Sequence, residues 1–202
     1  YDYLVLSPGA KPIIPDLPGI NLANVFSVRN LADSDALKQF IETGKPARAL
    51  VIGGGFIGLE IAENMKEKGV EVSIVELTDQ IMAPLDFEMA SIVHDHLTRN
   101  GVKLYLKQSV TALEGDTQVR KARLSGGKEL EVDMVVLGIG VAPESGLAKG
   151  AGLAIGSTGG ILVDEFLRTS DPDIYAVGDA IQVKHFVTGH EALIPLAGPA
   201  NK

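Results

Sequence analysis

The sequence contains no cysteine among its 202 residues, which excludes disulfide bonds, thiolate nucleophiles and cysteine-ligated metals within it. Basic residues are also few: 18 Lys and Arg against 26 Asp and Glu give a formal net charge of −8. We therefore expect neither nucleic acid nor a membrane surface as a partner. No apolar run approaches the roughly 20 residues that span a bilayer, and no signal peptide is evident at the start, so we expect a cytoplasmic protein.

What the sequence does contain predicts an α/β fold built on a parallel sheet. The apolar segment 47–52 shows no polar alternation, as expected of a parallel strand covered on both faces. Glycines follow at 53–55, then a segment with helical spacing at 56–68, and then a second strand at 70–75. Gly69 marks the end of this helix. The result is a right-handed βαβ unit.

Further elements flank this unit. A helix is predicted from the N-cap Asn30 to a glycine stop at Gly44, with Leu31 on its apolar face. The other predicted elements are a strand at 3–6, a crossing loop at 11–19, a helix at 86–100, strands at 102–107 and 134–137, and an antiparallel meander of 110–114, 118–125 and 128–132 with a turn at Gly126 and Gly127. For the remainder, 138–202, we predict glycine-rich loops around one strand at 173–177.

The pattern Gly53-x-Gly55-x-x-Gly58 follows a buried strand and opens a helix, which is the context of a dinucleotide-binding turn. The first glycine permits the turn, the second lets the backbone approach a pyrophosphate, and the third lets the helix pack on the strand. Glu76 ends the next strand, 18 residues after Gly58. A carboxylate there would accept the ribose hydroxyls and repel a 2′-phosphate, so we expect NADH to be preferred to NADPH. The alternative is a structural glycine turn beside a surface glutamate.

Two other groups of polar residues indicate a function less clearly. Glu60 lies on a helical turn that is otherwise apolar; it is either part of a solvated face or a carboxylate near the reacting nicotinamide ring. His94 and His96 are two residues apart on a helix and point to different sides, so we expect no metal site. No nucleophile and base arrangement stands out, and the implied chemistry is nucleotide binding and electron transfer.

Four ordered motifs resemble the FAD-dependent pyridine nucleotide-disulfide oxidoreductases. They are YDYLVLSPGA at 1–10, GGGFIGLE at 53–60, VVLGIGVAP at 135–143 and DIYAVGDA at 173–180. The ending PLAGPAN at 195–201 resembles the branch of coenzyme A-disulfide reductases, persulfide reductases and NADH oxidases. The resemblance implies a Rossmann-like NAD-binding domain at 30–143, a parallel sheet with a small antiparallel meander, inserted into a partial FAD-binding domain at 1–29 and 144–202.

The resemblance also implies roles for individual residues. Phe56 matches an aromatic side chain that covers the flavin until the nicotinamide displaces it, and Glu60 matches an acid that pairs with a lysine near the flavin. Asp179 matches the aspartate that binds the flavin ribitol. The other residues implied to contact NAD or FAD are Gly9, Gly53, Gly54, Gly55, Ile57, Gly58, Glu76, Gly138, Gly140, Gly178, Leu196 and Ala197.

The family's first FAD-binding glycine motif, its redox cysteine and its dimerisation domain have no counterpart in these 202 residues. We therefore expect a fragment of a larger homodimeric flavoenzyme, inactive alone, in which NADH reduces FAD and the flavin reduces a disulfide or persulfide acceptor such as coenzyme A disulfide. One alternative is an NADH oxidase or peroxidase of the same fold. Another is a non-catalytic module that binds NADH.

Overall fold

The computed structural model describes residues 1–196 of the chain. The helices are α1 (Leu31–Gly44), α2 (Phe56–Glu67), α3 (Phe87–Arg99) and α4 (Gly146–Gly150). The strands are β1 (Leu4–Leu6), β2 (Ala10–Pro12), β3 (Val25–Ser27), β4 (Arg48–Ile52), β5 (Glu71–Val75), β6 (Lys103–Tyr105), β7 (Val110–Glu114), β8 (Lys121–Leu124), β9 (Glu129–Glu131), β10 (Met134–Leu137), β11 (Val141–Pro143), β12 (Ile161–Leu162), β13 (Ile174–Ala176), β14 (Ile181–Lys184) and β15 (Glu191–Ala192). No helix among these residues is long and apolar enough to cross a membrane.

The chain divides into two compact units. One is Pro12–Gly140; the other joins Tyr1–Lys11 to the described residues from Val141 onward, so the first unit interrupts the second in sequence. The interrupting unit includes β3, which pairs in parallel with β10 and so belongs to its sheet.

The unit Pro12–Gly140 is built on a five-stranded sheet in the order β3-β10-β4-β5-β6, with every pair parallel. Alternate residues of β4 enter two different cores. Ala49 and Val51 pack in the core that includes buried residues of α1, α2 and α3. Leu50 and Ile52 pack in the core that includes the meander β7-β8-β9. The prediction of a strand covered on both faces is therefore confirmed, and the cover is helical on one face and a meander on the other.

Helix α1 begins as predicted and ends differently. The Asn30 side chain accepts a hydrogen bond from the N–H of Asp33, whose carboxylate accepts one from the N–H of Asn30, so the two form a capping box. The prediction of a glycine stop was wrong: Gly44 is still helical, and Lys45 takes the left-handed conformation with φ 45°. Leu31 is 83% exposed, so its assignment to the apolar face was also wrong.

The remaining helices and strands predicted for this unit are confirmed with small shifts at their ends. Gly69, just past α2, has φ +81° and donates its N–H to the carbonyl of Lys66. The antiparallel pair β8 and β9 turns through Gly127, which has φ +80°. The loop predicted at 11–19 contains the end of β2, and the connection after it contains β3; neither short strand was predicted.

The second unit contains more regular structure than its sequence predicts. Strand β1 pairs in parallel with β13, and β12, β14 and β15 form a three-stranded sheet. The prediction that 138–202 is loop around one strand was wrong, because helix α4 and strands β11, β12, β14 and β15 lie there. Each has two to five residues, too few for a recognisable period. Apolar residues of α4, β12 and β14 share one core with β1, including Leu6, Ala148 and Ile161.

Candidate functional site

The glycine turn after β4 requires glycine for two reasons. Gly53 has φ +105°, a conformation that side-chain-bearing residues rarely adopt. A β-carbon at this position would also lie 2.4 Å from the carbonyl oxygen of Gly138. The first glycine of the motif therefore makes the turn, as predicted, and it does so in contact with the segment that follows β10.

Gly55 provides open space at the start of α2. It is the N-cap residue of the helix, and no side chain caps it. A β-carbon built on Gly55 would meet nothing within 4 Å. The first N–H groups of a helix have no partner within the helix, and with the helix dipole they favour an anion. An open N-terminus without a side-chain cap is the arrangement that accommodates a phosphate.

Gly58 allows close packing between α2 and the strands. A β-carbon on Gly58 would lie 2.1 Å from the carbonyl oxygen of Gly53. One on Gly138 would lie 3.0 Å from the Cα of Gly58. The structure thus brings Gly53, Gly58 and Gly138 together as three backbone segments in contact, whereas Gly140 is exposed and lies beyond them with φ +106°.

Glu76 is held at the end of β5 by three hydrogen bonds. Its Oε2 accepts from the N–H of Gly54 at 2.8 Å, and its Oε1 accepts from the N–H and the hydroxyl of Thr78, both at 2.9 Å. Burial acts to raise the pKa of the carboxyl, but the hydrogen bonds from Thr78 and Gly54 outweigh it, so the pKa of Glu76 lies below its usual value. The carboxylate is therefore ionised and fixed beside the glycine turn.

Gly54 contacts both Glu76 and the segment that follows it. Its N–H is used by Glu76, and its carbonyl accepts from the N–H of Met82 at 2.8 Å. A β-carbon at Gly54 would lie 2.6 Å from Cγ2 of the fully buried Ile81. The backbone of Gly54 therefore supports the carboxylate, and Gly55 is the glycine with open space in front of it.

The start of α2 carries two exposed side chains and one polar side chain singled out in the sequence. Phe56 is 60% exposed and Ile57 is 38% exposed. Glu60 is exposed as well, and within residues 1–196 its carboxylate makes no hydrogen bond or ion pair. Neither Phe56 nor Ile57 is among the side chains of the two cores of the unit.

The predicted residues of the second unit lie near the ends of a strand pair. Because β1 and β13 are parallel and Leu6 aligns with Ala176, the turns that contain Gly9 and Gly178 follow the same edge of the pair. Both glycines are left-handed, with φ +73° and +76°, and a β-carbon on either would meet nothing within 4 Å. Asp179 lies in the short 3₁₀ turn Gly178–Ala180.

The last two predicted residues are less informative. Leu196 is 59% exposed, and Ala197 lies outside the described residues.

Of the histidines, His94 accepts a hydrogen bond from the N–H of Ile81 through Nε2. Among the described residues no group of three or more His, Cys, Asp or Glu could hold a metal ion.

Sequence reasoning assigned no contact with Glu76 or Gly54 to Thr78, Ile81 or Met82, which surround the strand-end carboxylate and Gly54. The position of Thr78, two residues after Glu76, was the one available signal, since a hydroxyl there can reach back to the carboxylate. Nothing in the spacing indicated that Ile81 would cover Gly54.

A parallel sheet with a glycine turn and a strand-end carboxylate defines the Rossmann-like class of dinucleotide-binding folds. Within that class, residues 1–197 match the model of the pyridine nucleotide-disulphide oxidoreductases, and the chain belongs to this family. The resemblance seen in the four sequence motifs is therefore confirmed.

Two relatives illustrate the match. The NADH oxidase of Methanocaldococcus jannaschii is 41% identical over 201 residues, which cover 99% of this chain and 44% of the relative. The coenzyme A disulfide reductase of Staphylococcus aureus strain JH9 is 32% identical over 202 residues, covering 100% of this chain and 44% of the relative. The chain thus spans under half the length of these relatives.

Solved structures agree with the fold. The reduced CoADR-RHD of Bacillus anthracis superposes with a TM-score of 0.96 at 53% identity, over 100% of this chain and 36% of that one. The NAD-dependent persulfide reductase of A. fulgidus gives 0.96 at 40% identity, over 100% of this chain and 37% of that one. The predicted Rossmann-like α/β fold is therefore confirmed.

Proposed function

We propose that this chain is the NADH-binding portion of an FAD-dependent oxidoreductase that passes hydride from NADH to FAD and then electrons to a disulfide or persulfide acceptor, such as coenzyme A disulfide. The observation that carries the proposal is the pairing of an open helix N-terminus at Gly55 with a fixed carboxylate at Glu76. The first fits a pyrophosphate and the second fits a ribose, which are the two polar parts of an adenine dinucleotide next to one another.

The residues of the unit Pro12–Gly140 fit NADH better than NADPH. Glu76 is ionised and held in place, so it offers oxygen acceptors to the ribose hydroxyls of the adenosine. The same charge would repel a 2′-phosphate on that ribose. A water-forming NADH oxidase from Lactobacillus brevis bound to NADH, with a TM-score of 0.91 at 32% identity, supports this choice of donor.

The exposed side chains at the start of α2 would act at the nicotinamide end of the site. NADH, when bound, supplies the hydride and FAD accepts it, so the task of the protein is placement. Phe56, exposed at the N-terminus of the helix, would cover the flavin until the nicotinamide displaces it. Glu60, without a partner among the described residues, would pair with a cation outside this sequence.

We propose that the second unit is part of the FAD-binding domain. Gly9 and Gly178 leave open space beside parallel strands, and Asp179 makes no hydrogen bond or ion pair within residues 1–196. Its carboxylate is thus available to hydroxyl groups of the flavin ribitol. Leu196 and Ala197 would follow near the flavin ring, and the full-length protein would be a homodimer located in the cytoplasm.

The acceptor follows from the relatives, since the chain contains no cysteine of its own. Relatives named coenzyme A disulfide reductase and NAD(P)H sulfur oxidoreductase (CoA-dependent) support a disulfide or persulfide acceptor. The NADH oxidase of M. jannaschii supports oxygen or peroxide as the alternative. A cysteine in the part of the enzyme outside these 202 residues would carry out either reaction.

The test is a titration of the purified chain with NADH and, in parallel, with NADPH, followed by nicotinamide fluorescence. We expect tighter binding of NADH, a loss of that preference in Glu76→Arg, and no loss in Glu63→Arg, which reverses an exposed charge on the same unit. The flavin absorption of the same sample should be close to zero. Equal binding of the two nucleotides by the unmodified chain would contradict the assignment of Glu76.

The non-catalytic alternative makes a different prediction for the complete protein. A free-standing NADH-binding module has no use for the Asp179 turn and would purify without flavin even at full length. Flavin bound to the complete protein at one equivalent, and lost in Asp179→Ala, would exclude this alternative.

A further inference from the structure

Thr78 contacts the strand-end carboxylate twice, although the dinucleotide-binding motif assigns it no role. Its backbone N–H donates to Oε1 of Glu76 at 2.9 Å, and its hydroxyl oxygen lies 2.9 Å from the same Oε1. The backbone contact would be present with any residue except proline at this position. The hydroxyl contact depends on the side chain and therefore on the sequence.

The carboxylate of Glu76 has little remaining capacity for a ligand. An ionised carboxylate offers about four lone-pair sites on its two oxygens. Thr78 fills two sites on Oε1 and the N–H of Gly54 fills one on Oε2. The two ribose hydroxyls of an adenosine need two sites, so they compete with the donors already bound to the carboxylate.

The Thr78 hydroxyl is the donor that can leave without losing a hydrogen bond. It carries one proton and has two acceptors in reach, Oε1 of Glu76 at 2.9 Å and the carbonyl oxygen of Gln80 at 2.7 Å. The backbone donors of Gly54 and Thr78 have no such freedom, because their N–H groups are fixed by the chain. Rotation of one hydroxyl hydrogen is sufficient to free a site on Oε1.

We propose that Thr78 is a positioning residue for ribose recognition: its hydroxyl holds the Glu76 carboxylate in the ligand-free protein and turns to the Gln80 carbonyl when the ribose hydroxyls bind. This inference rests on the proposed function, because it concerns the same site. Holding the carboxylate in advance removes the entropy cost of ordering a glutamate side chain on binding. Replacing the hydroxyl by a methyl group removes that advantage while leaving the shape of the side chain.

The first test measures nucleotide binding in three variants of this chain. Thr78→Val is expected to weaken NADH binding by roughly threefold to tenfold, the cost of ordering one flexible side chain on binding, and to reduce the preference over NADPH. Thr78→Ser keeps the hydroxyl and is expected to retain both. Thr43→Val removes an exposed hydroxyl bonded to the carbonyl of Gln39 and is expected to bind like the unmodified chain.

The second test needs no ligand. The carbon resonance of the Glu76 carboxyl is followed by NMR as a function of pH in the same proteins. The hydroxyl of Thr78 helps to lower the pKa of Glu76, so that pKa should rise in Thr78→Val and stay unchanged in Thr78→Ser and Thr43→Val. A threonine that only shaped the turn would leave the titration unmoved.

The outcomes separate this inference from the proposed function. If the unmodified chain prefers NADH and Thr78→Val changes neither that preference nor the titration, the role of Thr78 is overturned and the proposed function stands. If the unmodified chain binds no NADH, the proposed function is overturned and the ribose part of the inference with it. The NMR titration then still decides whether Thr78 holds the carboxylate.

Discussion

The carbonyl oxygen of Gly138 occupies the space that a side chain on Gly53 would need: a β-carbon on Gly53 would lie 2.4 Å from it. These residues follow neighbouring parallel strands, β4 and β10, which align Ile52 with Leu137. The glycine turn after β4 and the loop after β10 thus pack directly against each other. A requirement for glycine at Gly53 follows from this contact as well as from its φ of +105°.

We expect Gly53→Ala to lower the free energy of unfolding by at least about 2 kcal/mol, because it combines a strained backbone with a clash against a carbonyl that cannot rotate away. Urea unfolding of the purified chain measures this. Gly127→Ala is a matched control for backbone strain alone. Gly127 has φ +80° but open space around it, so we expect a smaller loss of unfolding free energy. Equal losses would show that the contact with Gly138 contributes nothing.

Gly55→Ala should weaken NADH binding while leaving the free energy of unfolding nearly unchanged. The β-carbon of alanine would meet nothing within 4 Å, and φ at this position is −82°, which alanine adopts freely. We expect the free energy of unfolding to change by less than about 1 kcal/mol, the typical size of an N-cap effect. NADH binding should weaken at least tenfold, since the methyl group takes the space that the backbone offers to the pyrophosphate.

Urea unfolding and an NADH titration on the same preparation test this prediction. Gly69→Ala, at a glycine distant from the turn with φ +81° and open space, should behave in the opposite way, with lower stability and unchanged NADH affinity. Unchanged NADH affinity in Gly55→Ala would instead favour a glycine turn with a purely structural role.

Much of the fold could be predicted because its longer elements carry clear periods and stops. Strand β4 was recognisable as a buried parallel strand, and α1 by the capping residue Asn30. The short elements α4, β11, β12, β14 and β15 could not be found in this way. Two to five residues do not complete a period, and the burial of α4, β12 and β14 depends on a core shared with Leu6, more than 100 residues away.

The same limit applies to the candidate site. Spacing located the three motif glycines and Glu76, because those positions are fixed by the geometry of a strand, a turn and a helix. Spacing could not assign the N–H of Gly54 to Glu76 or place Ile81 over Gly54, since both depend on which way a side chain turns after folding. The backbone contact that Gly54 makes with the carboxylate was therefore visible only in the structure.

Glu76→Gln should show a pH-dependent effect on stability. The pKa of Glu76 in the folded chain lies below its usual value of 4.5 because hydrogen bonds from Thr78 and Gly54 outweigh the effect of burial. A carboxyl with a lowered pKa stabilises the folded state at pH values above its unfolded pKa, and this contribution is lost as the pH falls through the folded pKa. Glutamine cannot ionise, so the variant lacks this contribution at every pH.

We therefore expect the difference in unfolding free energy between the unmodified chain and Glu76→Gln to be larger at pH 7 than at pH 3, as measured by urea unfolding at both values. Other carboxylates with a lowered pKa, such as Asp164 and Glu71, titrate in both proteins and cancel in the difference. Thr43→Val changes no titratable group, so its difference from the unmodified chain should be the same at both pH values. A difference for Glu76→Gln that does not depend on pH would mean that the hydrogen bonds from Gly54 and Thr78 do not favour the charged carboxylate in solution.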